Sequence, residues 1–168
     1  MKIRTIIFAI LLIPGLWIKA SGDLSNAEAM FIYNFLRHIE WPDGSNNNSF
    51  IIGVYGNSPT FDQLVEFTKN RKVGTKSIEV KKISSVAEVA HCQLVFVPHN
   101  QSSRISEMKN IIGNKGCLIV GEKEGSNVLG STIEFVIQDN RLKFRVNESN
   151  ARQQNLMVSK TLLDMSIQ

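Results

Sequence analysis

The hydrophobic and polar positions along the chain follow two patterns. From residue 25 to residue 39, apolar residues recur every three or four positions, which predicts an amphipathic helix that opens on a Ser25/Glu28 capping box and stops at Trp41-Pro42. Continuous apolar runs of the kind found in strands covered on both faces follow at 50–55, 92–97 and 117–120.

Helical spacing returns between these runs. Thr60 is a favourable cap for a helix that carries Phe61, Leu64 and Phe67, and Ser84 or Ser85 is expected to cap a short helix that ends near Ala90. Residues 103–112 predict another amphipathic helix, whereas the alternation over 78–83 predicts a strand near the sheet edge. This strand-helix order favours a parallel α/β sheet.

The last third of the chain breaks that order. Residues 132–137 and 142–146 flank Asp139-Asn140, which predicts a β-hairpin, and Asn147 or Ser149 is expected to cap one final helix that includes Leu156 and Leu162. The predicted fold is a mostly parallel sheet flanked by helices, a Rossmann-like or flavodoxin-like three-layer sandwich that ends in an antiparallel β-hairpin and a closing helix.

The N-terminus has the pattern of an export signal. Lys2 and Arg4 precede an apolar run of about thirteen residues, which is shorter than a membrane span, and small residues follow at Ala20, Ser21 and Gly22. We expect residues 1–22 to be a signal peptide and residues 23–168 to form one domain in the periplasm that is not embedded in the membrane after cleavage. A retained membrane anchor is the alternative.

Charge adds little to this picture. Three of the nineteen basic residues lie in the signal, which leaves sixteen basic residues against fifteen acidic ones in the remainder. This balance argues against nucleic acid as a partner.

The two cysteines, Cys92 and Cys117, each begin an apolar run. If these runs are neighbouring parallel strands, the two residues lie about 5 Å apart, which is compatible with a disulfide. Two buried free thiols are the alternative.

Polar residues follow the predicted parallel strands at the sheet end where α/β proteins bind ligands. A small polar or anionic ligand is expected to find a crevice lined by Asn57, Ser58, His99, Ser102 and Glu122. The alternative interpretation is that these are ordinary turn and cap residues.

Aromatic and basic residues on the first and last helices are candidates for binding a partner protein, because aromatics and arginine dominate interface energies. The candidates are Tyr33, Asn34, Arg37, Trp41, Arg152 and Lys160. Core packing of Trp41 and solvation of the two basic residues on the last helix are the alternatives.

No catalytic pattern is apparent in the sequence. His38, His91 and His99 have no metal-binding or triad spacing, and no phosphate-binding loop is present. We therefore expect no enzyme activity, metal or cofactor.

Several segments resemble, in order, the YfiR-like family of small exported bacterial proteins. The first are residues 27–35 with Trp41-Pro42, and residues 52–59 with Gly56-Asn57-Ser58-Pro59. Residues 90–97, 137–147 and 151–163 continue the match, while Leu129-Gly130 stands where the family usually has a double glycine.

The resemblance implies a periplasmic regulator that binds the outer part of an inner-membrane signalling protein. In the family that partner is typically a diguanylate cyclase held inactive, so that loss of the regulator raises cyclic di-GMP and promotes biofilm. A histidine kinase as the partner, a small-ligand sensor and a homodimer remain open.

Overall fold

The computed structural model describes residues 21–42 and 49–168, with side chains from Leu24 onward. The signal predicted for residues 1–22 therefore lies almost wholly outside the described residues. Within the described ranges the strands are β1 (Ile39–Glu40), β2 (Ser49–Tyr55), β3 (Lys72–Val73), β4 (Lys76–Ile83), β5 (Leu94–Val97), β6 (Leu118–Gly121), β7 (Ile133–Gln138), β8 (Arg141–Val146) and β9 (Met157–Val158). The α-helices are α1 (Ser21–Phe35), α2 (Thr60–Thr68), α3 (Ile105–Ile112), α4 (Ser126–Leu129), α5 (Glu148–Gln153) and α6 (Lys160–Met165), and two 3₁₀ helices span Val86–His91 and His99–Arg104.

The main sheet has the strand order β3-β4-β2-β5-β6-β7-β8. The strands from β4 to β7 run parallel, and the antiparallel strands β3 and β8 form the two edges. The prediction of an α/β fold, with helices flanking a sheet, is confirmed. The strand expected near the edge is β4, which has only the two-residue β3 outside it.

Both faces of the central strands are buried. Along β5, Leu94 and Phe96 belong to one core, with α1 and α2, whereas Val95 and Val97 belong to a second core, with α3. Successive strand residues point to opposite faces, so a continuous apolar run fills two cores at once. The uninterrupted hydrophobicity of this run thus has a direct structural cause.

Helix α1 lies against the first core through an aromatic cluster. The Phe35 ring centroid is 5.0 Å from that of Phe144 and 6.0 Å from that of Phe135, and Phe31 packs beside them. These rings attach the first helix to the hairpin near the other end of the chain. Such pairs add to the stability that burial alone provides.

The predicted start and end of this helix are wrong. Helix α1 begins at Ser21 instead of Ser25, and it ends at Phe35, before the chain turns into β1. Glu28 does not serve as a capping residue, because its carboxylate accepts a hydrogen bond from the Thr60 hydroxyl. Thr60 in turn is not the cap of α2; it is the first helical residue, and Pro59 occupies the cap position.

The hairpin between β7 and β8 turns at the two residues that the sequence suggests. Asp139 and Asn140 have φ values of 53° and 57°, and Gln138 pairs with Arg141. Two consecutive residues with positive φ form the tight turn whose twist matches that of the paired strands. Aspartate and asparagine tolerate this conformation better than most residues.

The single closing helix is also a wrong prediction. The segment is divided into α5 and α6 by Asn155, which has a φ of 58°, and by β9, in which Val158 pairs with Ile39 of β1. Asn147 caps α5 and Ser159 caps α6. The position of Val158 off the helical stripe reflects this strand pairing, which local sequence does not encode.

Gly130 explains why one glycine is enough before the hairpin. Its φ is 120°, a conformation that is unfavourable for every residue except glycine. Leu129 does not have a positive φ. The Gly130 carbonyl accepts a hydrogen bond from the buried Gln154 side chain, at 3.3 Å. Only the second position of the Leu129-Gly130 pair therefore requires glycine.

We expect Phe35→Ala to lower the free energy of unfolding by about 3 to 5 kcal/mol, because it leaves a cavity in the aromatic cluster. Met30→Ala on the same helix is the matched control, since Met30 is 44% exposed and should change stability by no more than about 0.5 kcal/mol. Urea unfolding monitored by circular dichroism measures both values. Equal effects at the two positions would contradict the assigned face of α1.

Candidate functional site

A cavity of about 400 Å³ lies at the carboxyl ends of the parallel strands. His99 follows β5 and Glu122 follows β6, and both line it together with Glu28 of α1. The remaining lining residues are Leu24, Lys123, Glu124, Phe135, Val136, Ile137 and Leu142. The cavity thus combines carboxylates with an apolar wall, and its volume is within the range of small-molecule sites.

Glu28 is the most unusual side chain of this cavity. It is only 2% exposed, and its Oε2 accepts a hydrogen bond of 2.6 Å from the Thr60 hydroxyl. Its other carboxylate oxygen, Oε1, is buried and has no hydrogen-bond partner. A buried polar atom without a partner is rare in native proteins and costs free energy.

Burial raises the pKa of Glu28 from 4.5 to about 7. The largest cause is the loss of water around the carboxylate; the Thr60 hydrogen bond acts in the opposite direction, and the charge of Glu122 raises the pKa further. The carboxyl group therefore changes charge near neutral pH. Titratable groups with strongly shifted pKa values are concentrated at functional sites.

The structure brings together two of the five residues predicted for the ligand crevice. The backbone N–H of His99 donates a 2.7 Å hydrogen bond to Glu122 Oε2, which fixes the loops after β5 and β6 to each other. Asn57, Ser58 and Ser102 are not in the lining. The Ser58 hydroxyl accepts a hydrogen bond from the Thr60 N–H, which is the turn role given as the alternative.

Sequence analysis missed Glu28 as a site residue. Its position three residues after Ser25 matches a capping box, and this local pattern conceals the contact with Thr60, 32 residues away. The feature that could have identified it is a carboxylate on an otherwise apolar face of the helix. Glu28 lies one residue before the buried Ala29 and four before the buried Ile32.

The two aromatic partner candidates both have contacts within the fold. The Trp41 indole N–H donates a 2.9 Å hydrogen bond to the Gln93 carbonyl, and its ring packs edge-on against Phe50 at 4.9 Å. The Tyr33 ring lies 5.8 Å from that of Phe67 and is covered by the Arg71 guanidinium at 4.5 Å. Both rings are half-buried, which leaves part of each accessible.

The polar partner candidates are on the surface. Asn34 is exposed in the last turn of α1, and Arg37 is exposed in the turn that follows the helix. Arg37 precedes His38, whose carbonyl accepts a 2.9 Å hydrogen bond from the Ser159 N–H, and Lys160 follows Ser159. We call the surface formed by the basic residues Arg37 and Lys160, with Asn34 three residues before Arg37, the basic patch.

The exposed basic side chains of the last two helices form local ion pairs. Lys160 pairs with Asp164 at 2.8 Å, and Arg152 on α5 pairs with Glu148 at 3.4 Å. Exposed pairs of this kind contribute little to stability, so a partner can displace them easily.

Cys92 and Cys117 are free thiols in the structure, and both are buried in the same core as α3. Burial raises the pKa of Cys92 to about 11 and that of Cys117 as well, so neither thiol is an activated nucleophile. Gly53 packs against Cys92, because a Cβ at this glycine would lie 2.8 Å from the Cys92 sulfur. The disulfide stays a prediction.

Across residues 21–42 and 49–168, no group of three His, Cys, Asp or Glu side chains is arranged to hold a metal ion. The chemistry available at the cavity is proton binding by Glu28 and electrostatic or hydrogen-bonded contact with a ligand.

Glu28 should make folding less favourable as pH rises. Because the folded-state pKa is above the unfolded value, the folded protein holds this proton more tightly, and stability falls between pH 4.5 and 7. The free energy of unfolding of wild type should drop by about 3 kcal/mol relative to Glu28→Gln over this range. Urea unfolding at several pH values measures this difference, and Glu148→Gln is the control at an exposed position. If the free energy of unfolding depends on pH in the same way in wild type and in Glu28→Gln, the raised pKa of Glu28 is refuted.

We expect Cys92 and Cys117 to form a disulfide when the chain is exported. Thiol labelling of the unfolded protein without reductant should find no free thiol, and the intact mass should rise by about 2 Da on reduction, because each thiol regains a hydrogen. The bridge should add about 3 kcal/mol by restricting the unfolded chain. Two labelled thiols in the protein purified from the exported fraction would show that the pair is unbonded.

Comparison with known proteins agrees with the sequence motifs. Residues 25–167 match the model of the YfiR/HmsC-like family. No curated protein matches the chain. In the part of the chain that the structure describes, no helix is sufficiently long and apolar to cross a membrane. Because the match extends from α1 to the penultimate residue, this chain belongs to the YfiR/HmsC-like family.

Proposed function

We propose that this chain is a periplasmic regulator that binds the periplasmic part of an inner-membrane signalling protein, a diguanylate cyclase, and represses its output. The observation that carries the proposal is the family match over residues 25–167. The N-terminal pattern of basic, apolar and small residues supports export, with residues 1–22 as the signal and residues 23–168 as the domain. Regulation through contact requires no catalytic residues of the chain's own.

We assign the domain to the flavodoxin-like class of three-layer folds. The order of its parallel strands, β4-β2-β5-β6-β7, corresponds to 2-1-3-4-5 when these strands are numbered along the chain, which is the flavodoxin-like order. Separate cores on the two faces of β5 support the assignment. A rigid domain of this kind suits a regulator that must present a fixed surface.

The basic patch is the surface we propose for the membrane partner, and we include Tyr33 and Trp41 as candidate aromatic contacts. Arg37 and Lys160 are far apart in the sequence but lie next to His38 and Ser159, which the backbone hydrogen bond joins, and the Arg37 N–H donates to the Asn34 carbonyl. The Ser159 hydroxyl also lies 3.2 Å from His38 Nδ1. We include Arg152 on α5, which is also exposed, among the candidate contacts.

Repression would operate by population shift. A regulator that binds the inactive conformation of the receptor more tightly than the active one biases the receptor toward inactivity. Reversing an equilibrium from 1:99 to 99:1 takes about 5.5 kcal/mol of differential affinity. A surface that combines arginine with half-buried aromatic rings can supply more of this than isolated ion pairs can.

A small-ligand sensor is the second candidate function. The cavity lined by Glu28, His99 and Glu122 favours it, since an apolar wall with a few converging polar groups is the usual form of a ligand site. The two functions are compatible in one protein, because the cavity is at the carboxyl ends of the strands whereas the basic patch is at the end of α1.

In vivo cross-linking followed by mass spectrometry tests the regulator proposal. Wild type should capture an inner-membrane protein with a periplasmic sensor region and a cyclase output, and deletion of the chain should raise cyclic di-GMP. Arg37→Glu should reduce capture by about tenfold or more, because an interface arginine is commonly an energetic hot spot.

Arg104→Glu is the matched control. Arg104 is also exposed, but it lies just before α3, the helix that packs on the other core, and its substitution should leave capture unchanged. Capture of a histidine kinase would show that the partner has a kinase output instead of the cyclase output that we assign. Capture of nothing but a second copy of this chain would favour self-association. If no membrane protein is captured under conditions that trap a known periplasmic complex, the regulator proposal fails.

A further inference from the structure

Glu28, which lines the cavity at the carboxyl ends of the strands, has an unsatisfied hydrogen-bond acceptor. Glu28 Oε1 is buried without a partner, while Oε2 is already occupied by Thr60. A donor that enters the cavity and reaches this oxygen would supply the hydrogen bond that the carboxylate lacks. The polar group of a ligand that binds here should therefore be a hydrogen-bond donor.

The other carboxylates of the cavity are already engaged. Glu122 accepts the His99 N–H at 2.7 Å, and Glu124 pairs with the Arg145 guanidinium at 2.9 Å. Glu28 and Glu122 repel each other, since the charge of Glu122 raises the pKa of Glu28. A cation placed between them would remove this repulsion and supply the missing donor at once.

The apolar wall specifies the other end of the ligand. Leu24, Phe135 and Leu142 line the cavity, and Ile137 on its rim is 57% exposed. A short hydrocarbon chain would gain free energy by covering this surface. A bare metal ion would leave it uncovered and would find no set of three ligands among the described residues.

We propose that this cavity binds an alkylammonium group, with the ammonium hydrogen-bonded to Glu28 Oε1 and the alkyl chain against Leu24, Phe135 and Leu142. The group can belong to a free aliphatic amine or to a lysine side chain of a bound protein, since both present the same chemistry. The inference goes beyond the regulator function and does not depend on it, because its test uses the isolated protein.

The test compares three probes of nearly equal size: n-pentylamine, pentan-1-ol and pentanoate. Titration followed by NMR should show saturable binding of the amine, with shifts concentrated at the amides of residues 24, 28, 99 and 122. The alcohol and the carboxylate should bind at least about tenfold more weakly, because neither offers a charged donor to Glu28. Equal binding of the alcohol, or shifts that map elsewhere, would overturn the proposal.

Glu28→Gln removes the charge and keeps the size of the side chain. We expect it to weaken pentylamine binding by about tenfold or more and to remain folded, because it relieves a buried charge. Glu107→Gln, an exposed substitution on α3, is the matched control and should bind as wild type does. Unchanged binding by Glu28→Gln would refute the assigned role.

The pH dependence provides a second readout. Pentylamine stays protonated over this range, while the fraction of ionised Glu28 rises about tenfold between pH 6 and 8, so wild-type affinity should rise by about the same factor. The other titratable or charged groups around the cavity are His99, Glu122, Lys123 and Glu124, with Arg145 bound to Glu124. If the rise persists in Glu28→Gln, one of these groups is responsible and the proposal fails.

Two short peptides distinguish the source of the ammonium. Acetyl-Ala-Lys-Ala-amide and its norleucine analogue differ only in the terminal ammonium group. Binding of pentylamine alone identifies a free amine as the ligand, whereas binding of the lysine peptide as well, with loss in the norleucine peptide, identifies a protein side chain. Absence of binding by every ammonium probe overturns the proposal.

Discussion

Burial on both faces of the central strands is the constraint on which the rest of this fold depends. All four residues of β5 and of β6 are buried, and no position within them can hold a polar side chain that lacks a partner. Helices must therefore cover the sheet on both sides, and polar groups are displaced to the strand ends. His99 and Glu122 occupy those ends, so the cavity lies where the chain first permits charged residues.

Glu28 is the exception to this segregation of polar and apolar groups. It lies on the buried face of α1, beside Ala29 and Ile32, and its contact with Thr60 satisfies only half of the carboxylate. A carboxylate that is buried without a cationic partner costs free energy when it is ionised. The ionised carboxylate therefore does not stabilise the fold, and its position agrees with the ligand-binding role that we propose for the cavity.

Two segments that are far apart in the sequence meet at a different part of the molecule. Strand β1 pairs with β9, and the His38–Ser159 hydrogen bond continues this pairing toward α6. This short antiparallel contact interrupts what would otherwise be a continuous final helix. It also places Arg37 near Lys160, so the surface that we propose for a partner protein joins residues 123 positions apart in the sequence.

The sequence by itself determined the α/β class, the positions of the buried strands, the hairpin turn at Asp139-Asn140 and the family, because each is encoded in local periodicity, turn chemistry or ordered motifs. Tertiary structure alone decided that Thr60 bonds to Glu28 instead of capping a helix, that Val158 joins a strand and that Asn57 stays outside the cavity. The physical reason is that hydrogen bonds and strand pairs between distant residues override local propensity when they satisfy buried groups.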